Sequence, residues 1–152
     1  MKIPALPRFS LACTAALAAV LLAFAGTASA QLYWDNNGGT AGFGTATGTW
    51  AAPTTNNSTQ GWSTSSTGTT ALSGTTNTTT SDALNFGTGT ASYGLGAGTI
   101  TLSGTVSANS LTFGSQSGVI VLSGGTISLG GTTPTITVNN AADTISSAIT
   151  GS

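Results

Sequence analysis

From residue 99 onward, polar and apolar positions alternate with a period of two. Thr99-Ile100-Thr101-Leu102-Ser103-Gly104, Ser110-Leu111-Thr112-Phe113-Gly114, Thr126-Ile127-Ser128-Leu129-Gly130 and Thr135-Ile136-Thr137-Val138-Asn139 each alternate and then break at Gly or Asn. Val119-Ile120-Val121-Leu122-Ser123-Gly124 is apolar on both faces. Period two with breaks at Gly and Asn predicts short strands of about four or five residues. Their Thr, Val and Ile content suits a half-buried pleated surface. No apolar stripe of helical period appears after residue 30.

The strands also recur. Leu-Ser-Gly stands at 102–104 and again at 122–124, a spacing of 20 shared by Ile100 and Ile120 and by Leu129 and Ile149. A repeat of that length, made of two or three short strands, predicts one coil of a parallel β-solenoid. Like residues then stack on like between coils about 4.7–4.9 Å apart. An antiparallel sandwich of short strands is the competing architecture, and the repeat favours the solenoid. Residues 99–152 supply about two to three such coils, with the last coil's edge unpaired and free of charged residues.

Residues 31–98 read differently. They hold only six Leu, Ile, Val or Phe in 68 positions, against fifteen in 54 for residues 99–152. They carry all three Trp, at 34, 50 and 62. This predicts an irregular, Trp-containing lead or cap in front of the coils. Residues 1–30 read as an export signal. Lys2 and Arg8 precede the apolar run Leu11 to Ala25, and Ala28-Ser29-Ala30 is the small-x-small pattern of a cleavage site after Ala30. The run is short for a membrane span, and no positive cluster follows it. Cys13, the sole cysteine, sits too early in the run for a lipoprotein signal and leaves with the leader, so the mature chain forms no disulfide. The organisation predicted is therefore 1–30 signal peptide, 31–98 lead or cap, and 99–152 solenoid.

Composition narrows the chemistry. Of the 122 residues from 31 to 152, 67 are Thr, Ser or Gly, and none is Lys, Arg, His, Glu, Cys or Met. Without cations the mature chain has nothing to neutralise phosphates, which argues against nucleic acid. Without His, Cys or Glu the usual metal and nucleophile sites are not built, so no metal or cofactor is expected. Asp35, Asp82 and Asp143 are the only carboxylates after the leader. Their spacings of 47 and 61 do not match a coil, so a glycosidase pair is not expected, and no catalytic residue is assigned. All three read as turn residues bonding nearby amides. A calcium-binding Gly-Gly-x-Gly-x-Asp repeat is absent from the sequence.

Three other patterns bear on function. Trp34, Trp50 and Trp62 are candidate glycan contacts, as a strip of indole faces for sugar rings. They are also candidates for an aromatic cluster capping the first coil with Phe43, Phe86 and Tyr93. The Thr-x-Thr pairs at 99/101 and 135/137 resemble an ice-binding ladder, interrupted by Val119 and Val121. Asn56, Asn57 and Asn77 match the glycosylation sequon, which matters only in a eukaryotic host.

The segment 99–152 resembles the autotransporter-associated β-strand repeat proteins of bacterial surfaces. Tyr33-Trp34-Asp35-Asn36 and Asp82-Ala83-Leu84-Asn85-Phe86 resemble the N-terminal region of the same family. The resemblance implies a right-handed parallel β-helix passenger and implies no catalytic residue. Family members continue for many repeats, whereas this chain stops at Ser152, which reads as the N-terminal portion of a passenger, a truncated reading frame, or a chain that another completes. The expectation is an all-β, non-catalytic structural or adhesive segment, secreted or at the cell surface. Its partners would be the inner-membrane export machinery, then surface glycans or other cells. A carbohydrate-binding module using the Trp residues is the alternative.

Overall fold

The computed structural model describes residues 29–151. Most of the predicted leader, with Ala28 and Cys13, lies outside them. Among the described residues no helix is long and apolar enough to cross a membrane.

The chain forms stacked parallel coils. Coil one contributes β1 (Gln31–Trp34) and β2 (Gly48–Trp50). After an excursion, β6 (Ala83–Phe86) and β7 (Gly98–Ala108) form the next coil, and β8 (Ser110–Phe113) and β9 (Ile120–Leu129) the one after. The last coil contains β10 (Thr135–Val138), β11 (Thr144–Ile145) and β12 (Ala148–Gly151). One sheet takes β1, β6, β8 and β10 as parallel neighbours. The other takes β2, β7 and β9, with β11 and β12 following one another along the outer edge of β9, again all parallel. Only the excursion is antiparallel. There β3 (Thr54–Thr55) pairs with β5 (Thr75–Thr76), and β4 (Trp62–Ser63) folds back onto β1. The fold is thus a β-solenoid whose four stacked rungs are joined by about three turns, and its sheets begin at Gln31, so residues 31–98 supply rungs as well as the cap.

The inward positions make the core. Leu32, Leu84, Leu111 and Ile136 stand in one column, and Phe86, Phe113 and Val138 in the next. Facing them are Ile100, Leu122 and Ile145, and then Val106, Ile127 and Ile149. In the middle coils these side chains are fully buried. Stacking like on like lets every rung fill the same cross-section, so a few aliphatics per coil suffice to exclude water.

The register differs from the expected spacing of 20. Ile100 stands beside Leu122, Val106 beside Ile127 and Leu122 beside Ile145, so a coil takes 21 to 23 residues through this sheet. The two Leu-Ser-Gly strings do not align, because Leu102 faces Gly124. A bulge then shifts the register by one residue. Between the pairs Leu102–Gly124 and Thr105–Thr126, β7 has Ser103 and Gly104 where β9 has only Gly125. The extra residue bends both strands and resets their phase. The break predicted at Gly104 is therefore a bend within one continuous strand of 11 residues. Both bends use left-handed backbone, with φ +74° at Gly104 and +42° at Gly125.

The two glycines differ in what surrounds them. A Cβ on Gly104 meets nothing within 4 Å, whereas one on Gly125 falls 2.5 Å from the Gly104 carbonyl oxygen and 2.8 Å from Leu102 Cβ. Gly104→Ala is expected to cost about 1–2 kcal/mol, the conformational penalty alone. Gly125→Ala adds a backbone clash and is expected to cost more. Urea denaturation followed by circular dichroism would rank them, and an equal loss at both sites would refute the packing argument.

The last coil is the least covered. All four residues of β10 and of β12 are exposed, and Val138 and Ile149 remain about half accessible.

Candidate functional site

Candidate chemistry gathers at the N-terminal end, where β1, β4 and the segment 35–45 close over the first coil. Trp34 and Trp62 meet edge to face at 5.1 Å, and Trp50 meets Trp62 likewise at 5.3 Å. Phe86 joins the cluster 5.9 Å from Trp62 and stacks on Phe113 at 5.0 Å, which carries the aromatic column into the coils. Phe43 stacks on Tyr33 at 5.6 Å. Aliphatics are scarce here, so indole area supplies the burial. Trp50 Nε1 donates to Thr78 Oγ1 at 3.1 Å, while Trp34 Nε1 and Trp62 Nε1 are buried without partners.

This geometry corrects the glycan-strip alternative. Stacking on sugar needs an open indole face, and Trp34, Trp50 and Trp62 are 0%, 0% and 3% exposed. The three are core residues of the cap.

The carboxylates lie apart, and no hydrogen bond joins any two of them. Asp82 Oδ2 accepts from Thr79 N at 2.7 Å and Thr79 Oγ1 at 2.9 Å, a local turn as expected. Asp143 Oδ1 accepts from Ile120 N at 2.8 Å, so it ties the last coil to the start of β9 instead of closing its own turn. Burial raises the Asp143 pKa, and that amide bond opposes the rise.

Asp143 Oδ2 is buried without a partner, and Asp35 combines the same lack with burial of the whole residue. It is 0% exposed. Its Oδ1 accepts from Asn37 N at 3.0 Å, and its Oδ2 has no partner. Burial pushes its pKa up to about 6, against the opposing pull of the Asn37 amide. Beside it, Asn37 Oδ1 is buried and also without a partner. Asn36 between them is fully engaged, with Oδ1 accepting from Thr45 N at 2.8 Å and Nδ2 donating to Thr45 Oγ1 at 3.1 Å. Sequence reasoning found the Asp35 turn from Asp-Asn-Asn-Gly-Gly but not its burial. The folded-back strand β4 and the loop through Phe43 cover it, and neither contact has a local signal.

No family model, curated protein or solved structure matches the chain.

Other sequence candidates resolve into structural roles. Asn56 Nδ2 donates to Thr76 Oγ1 at 2.7 Å and its Oδ1 accepts from Trp62 N at 3.1 Å, which pins the excursion to β4. Asn57 Oδ1 caps the next turn through Thr59 N at 2.8 Å. The two Thr-x-Thr pairs belong to different sheets, so they form no common ladder. Thr99 and Thr101 stack on Val121 and Ser123, whereas Thr135 and Thr137 stack on Ser110 and Thr112. A cavity of about 230 Å³ near Thr80, Asn109 and Thr132 is lined by hydroxyls and an amide, without a carboxylate. Among the described residues no group of three or more His, Cys, Asp or Glu side chains converges.

Proposed function

We propose that the chain is a non-catalytic structural or adhesive segment of an exported protein, displayed at the cell surface or secreted. The observation that carries this reading is the stack itself. Aliphatic and aromatic columns fill the inside, and Ser, Thr and Asn occupy the outward positions of successive rungs, such as Asn85, Thr112 and Thr137. Such a body is a spacer with a neutral, hydroxyl-rich flank. Its mechanism is mechanical, with backbone ladders running along one axis and transmitting load between whatever stands at either end. The resemblance to autotransporter-associated repeat proteins supports the same role, and the leader at 1–30 supports passage through the inner membrane.

Expression of the whole chain in a Gram-negative host, with cell fractionation and N-terminal sequencing, tests this. The expected product begins at Gln31, lies outside the cytoplasm, and makes coated beads adhere to cells or to one another. Retention in the cytoplasm with Met1 intact would overturn the export reading. An exported chain whose beads adhere no more than uncoated ones would overturn the adhesive reading.

A further inference from the structure

We propose that the Asp35–Asn37 turn binds a hard metal cation, calcium being the best fit, with Asp35 Oδ2 and Asn37 Oδ1 as its side-chain ligands. This stands apart from the structural role above, since a spacer needs no ion there.

The first ground is an unmet need. Both oxygens are buried, both only accept, and neither has a partner. A buried acceptor left unpaired costs about 1–3 kcal/mol, more when charged, so native folds fill such places with a donor or an ion. Four amides around the turn are already committed, and those of Gly38 and Gly39 donate to neither oxygen. Asn37 N serves Asp35 Oδ1, Asn36 N serves Phe43 O, Asp35 N serves Gly61 O, and Gly42 N serves Thr67 O. The unpartnered indole N–H groups of Trp34 and Trp62 donate to neither oxygen.

The second ground is charge. Lys2 and Arg8 are the only basic side chains in the sequence, and both lie in the leader. No side chain after residue 30 carries a positive charge that Asp35 can pair with, so a buried carboxylate here needs compensation from outside the chain.

The third ground is ligand type and spacing. Carboxylate and amide oxygens are the donors calcium takes, and Asp at one position with Asn two further on is the opening of many calcium loops. Here Gly38, at φ +69°, turns the backbone directly after Asn37. Two side-chain ligands leave the rest of the shell to backbone carbonyls and water. Affinity then falls in the weak class of extracellular modules, with Kd on the order of 10⁻⁴–10⁻³ M.

The test uses the whole chain, purified with chelator and dialysed free of it. Terbium serves as probe, because Trp34 adjoins the turn and can sensitise its emission. The expected result is Trp-sensitised terbium emission that calcium competes away. At matched ionic strength, about 5 mM calcium is expected to raise Tm by at least about 3 °C. Asp35→Asn is expected to abolish both effects, while Asp82→Asn and Asp143→Asn keep them. Asn37→Ala is expected to weaken terbium binding at least tenfold with the β spectrum intact, which keeps the proposal testable if Asp35→Asn does not fold. Absence of emission and of any Tm shift in the wild type overturns the proposal. So does a calcium response that survives in Asp35→Asn or is unchanged in Asn37→Ala.

Discussion

Lowering the pH from 7.5 to 4 in chelator-containing buffer is expected to stabilise the fold, raising Tm by on the order of 10 °C. The cause is Asp35. Its carboxyl has a pKa of about 6 in the folded chain against 3.8 for the ordinary group. An acid whose folded pKa is raised holds its proton more tightly when folded. Stability is therefore greatest at and below about pH 4, falls as pH rises toward 6, and is flat above that. A gap of about two units corresponds to roughly 3 kcal/mol. Asp143 is shifted in the same direction, also by burial, and adds to the effect. Asp35→Asn removes the ionisation and is expected to flatten most of the dependence. Thermal melts by circular dichroism between pH 4 and 8 check this, and a Tm that rises with pH would refute it.

Trp50→Ala is the substitution expected to damage the fold most. Trp50 is 0% exposed, lies 5.3 Å from Trp62 and 6.3 Å from Phe86, and satisfies Thr78 through its indole N–H. Truncation removes the largest side chain available and leaves a cavity, at a cost of about 3–5 kcal/mol. It also strands a buried hydroxyl. Small domains hold only about 5–15 kcal/mol in total, so loss of a cooperative melt at 25 °C is the expected outcome. Trp50→Phe retains ring area and loses mainly the bond to Thr78, so it is expected to cost less than half as much. Val138→Ala, on the exposed last coil, is expected to cost under about 0.5 kcal/mol. Urea titrations of the three variants give the order, and a Val138→Ala loss equal to that of Trp50→Ala would show that the last coil, not the cap, is the keystone.

The strands from residue 99 onward were legible because alternation reports burial directly. Ile100, Leu111 and Ile127, inward by period two, are buried in the middle coils, whereas Ile136 and Val138 of the last coil stay exposed. The coil length was not legible. Matching Leu-Ser-Gly to Leu-Ser-Gly is the natural alignment of strings, but the strands pair at an offset of 22 before the bulge at Ser103-Gly104 and 21 after it. The cap was half legible. Scarce aliphatics and three Trp foretold an aromatic cluster, and composition alone did not show that β1 and β6 are already rungs of the same sheet.

The sequence by itself determined that the chain is all-β from residue 31, that its coils stack in parallel, and that charge is nearly absent after residue 30. Those properties follow from period, repeat and residue type, which are local. Only the tertiary structure decided which residues share a rung, that the Trp faces are closed to solvent, and that Asp35 and Asn37 are enclosed with an unpaired oxygen each. Those depend on β4 folding back onto β1 and on segments tens of residues apart meeting, where the free energy lies in long-range packing that no short stretch of sequence encodes.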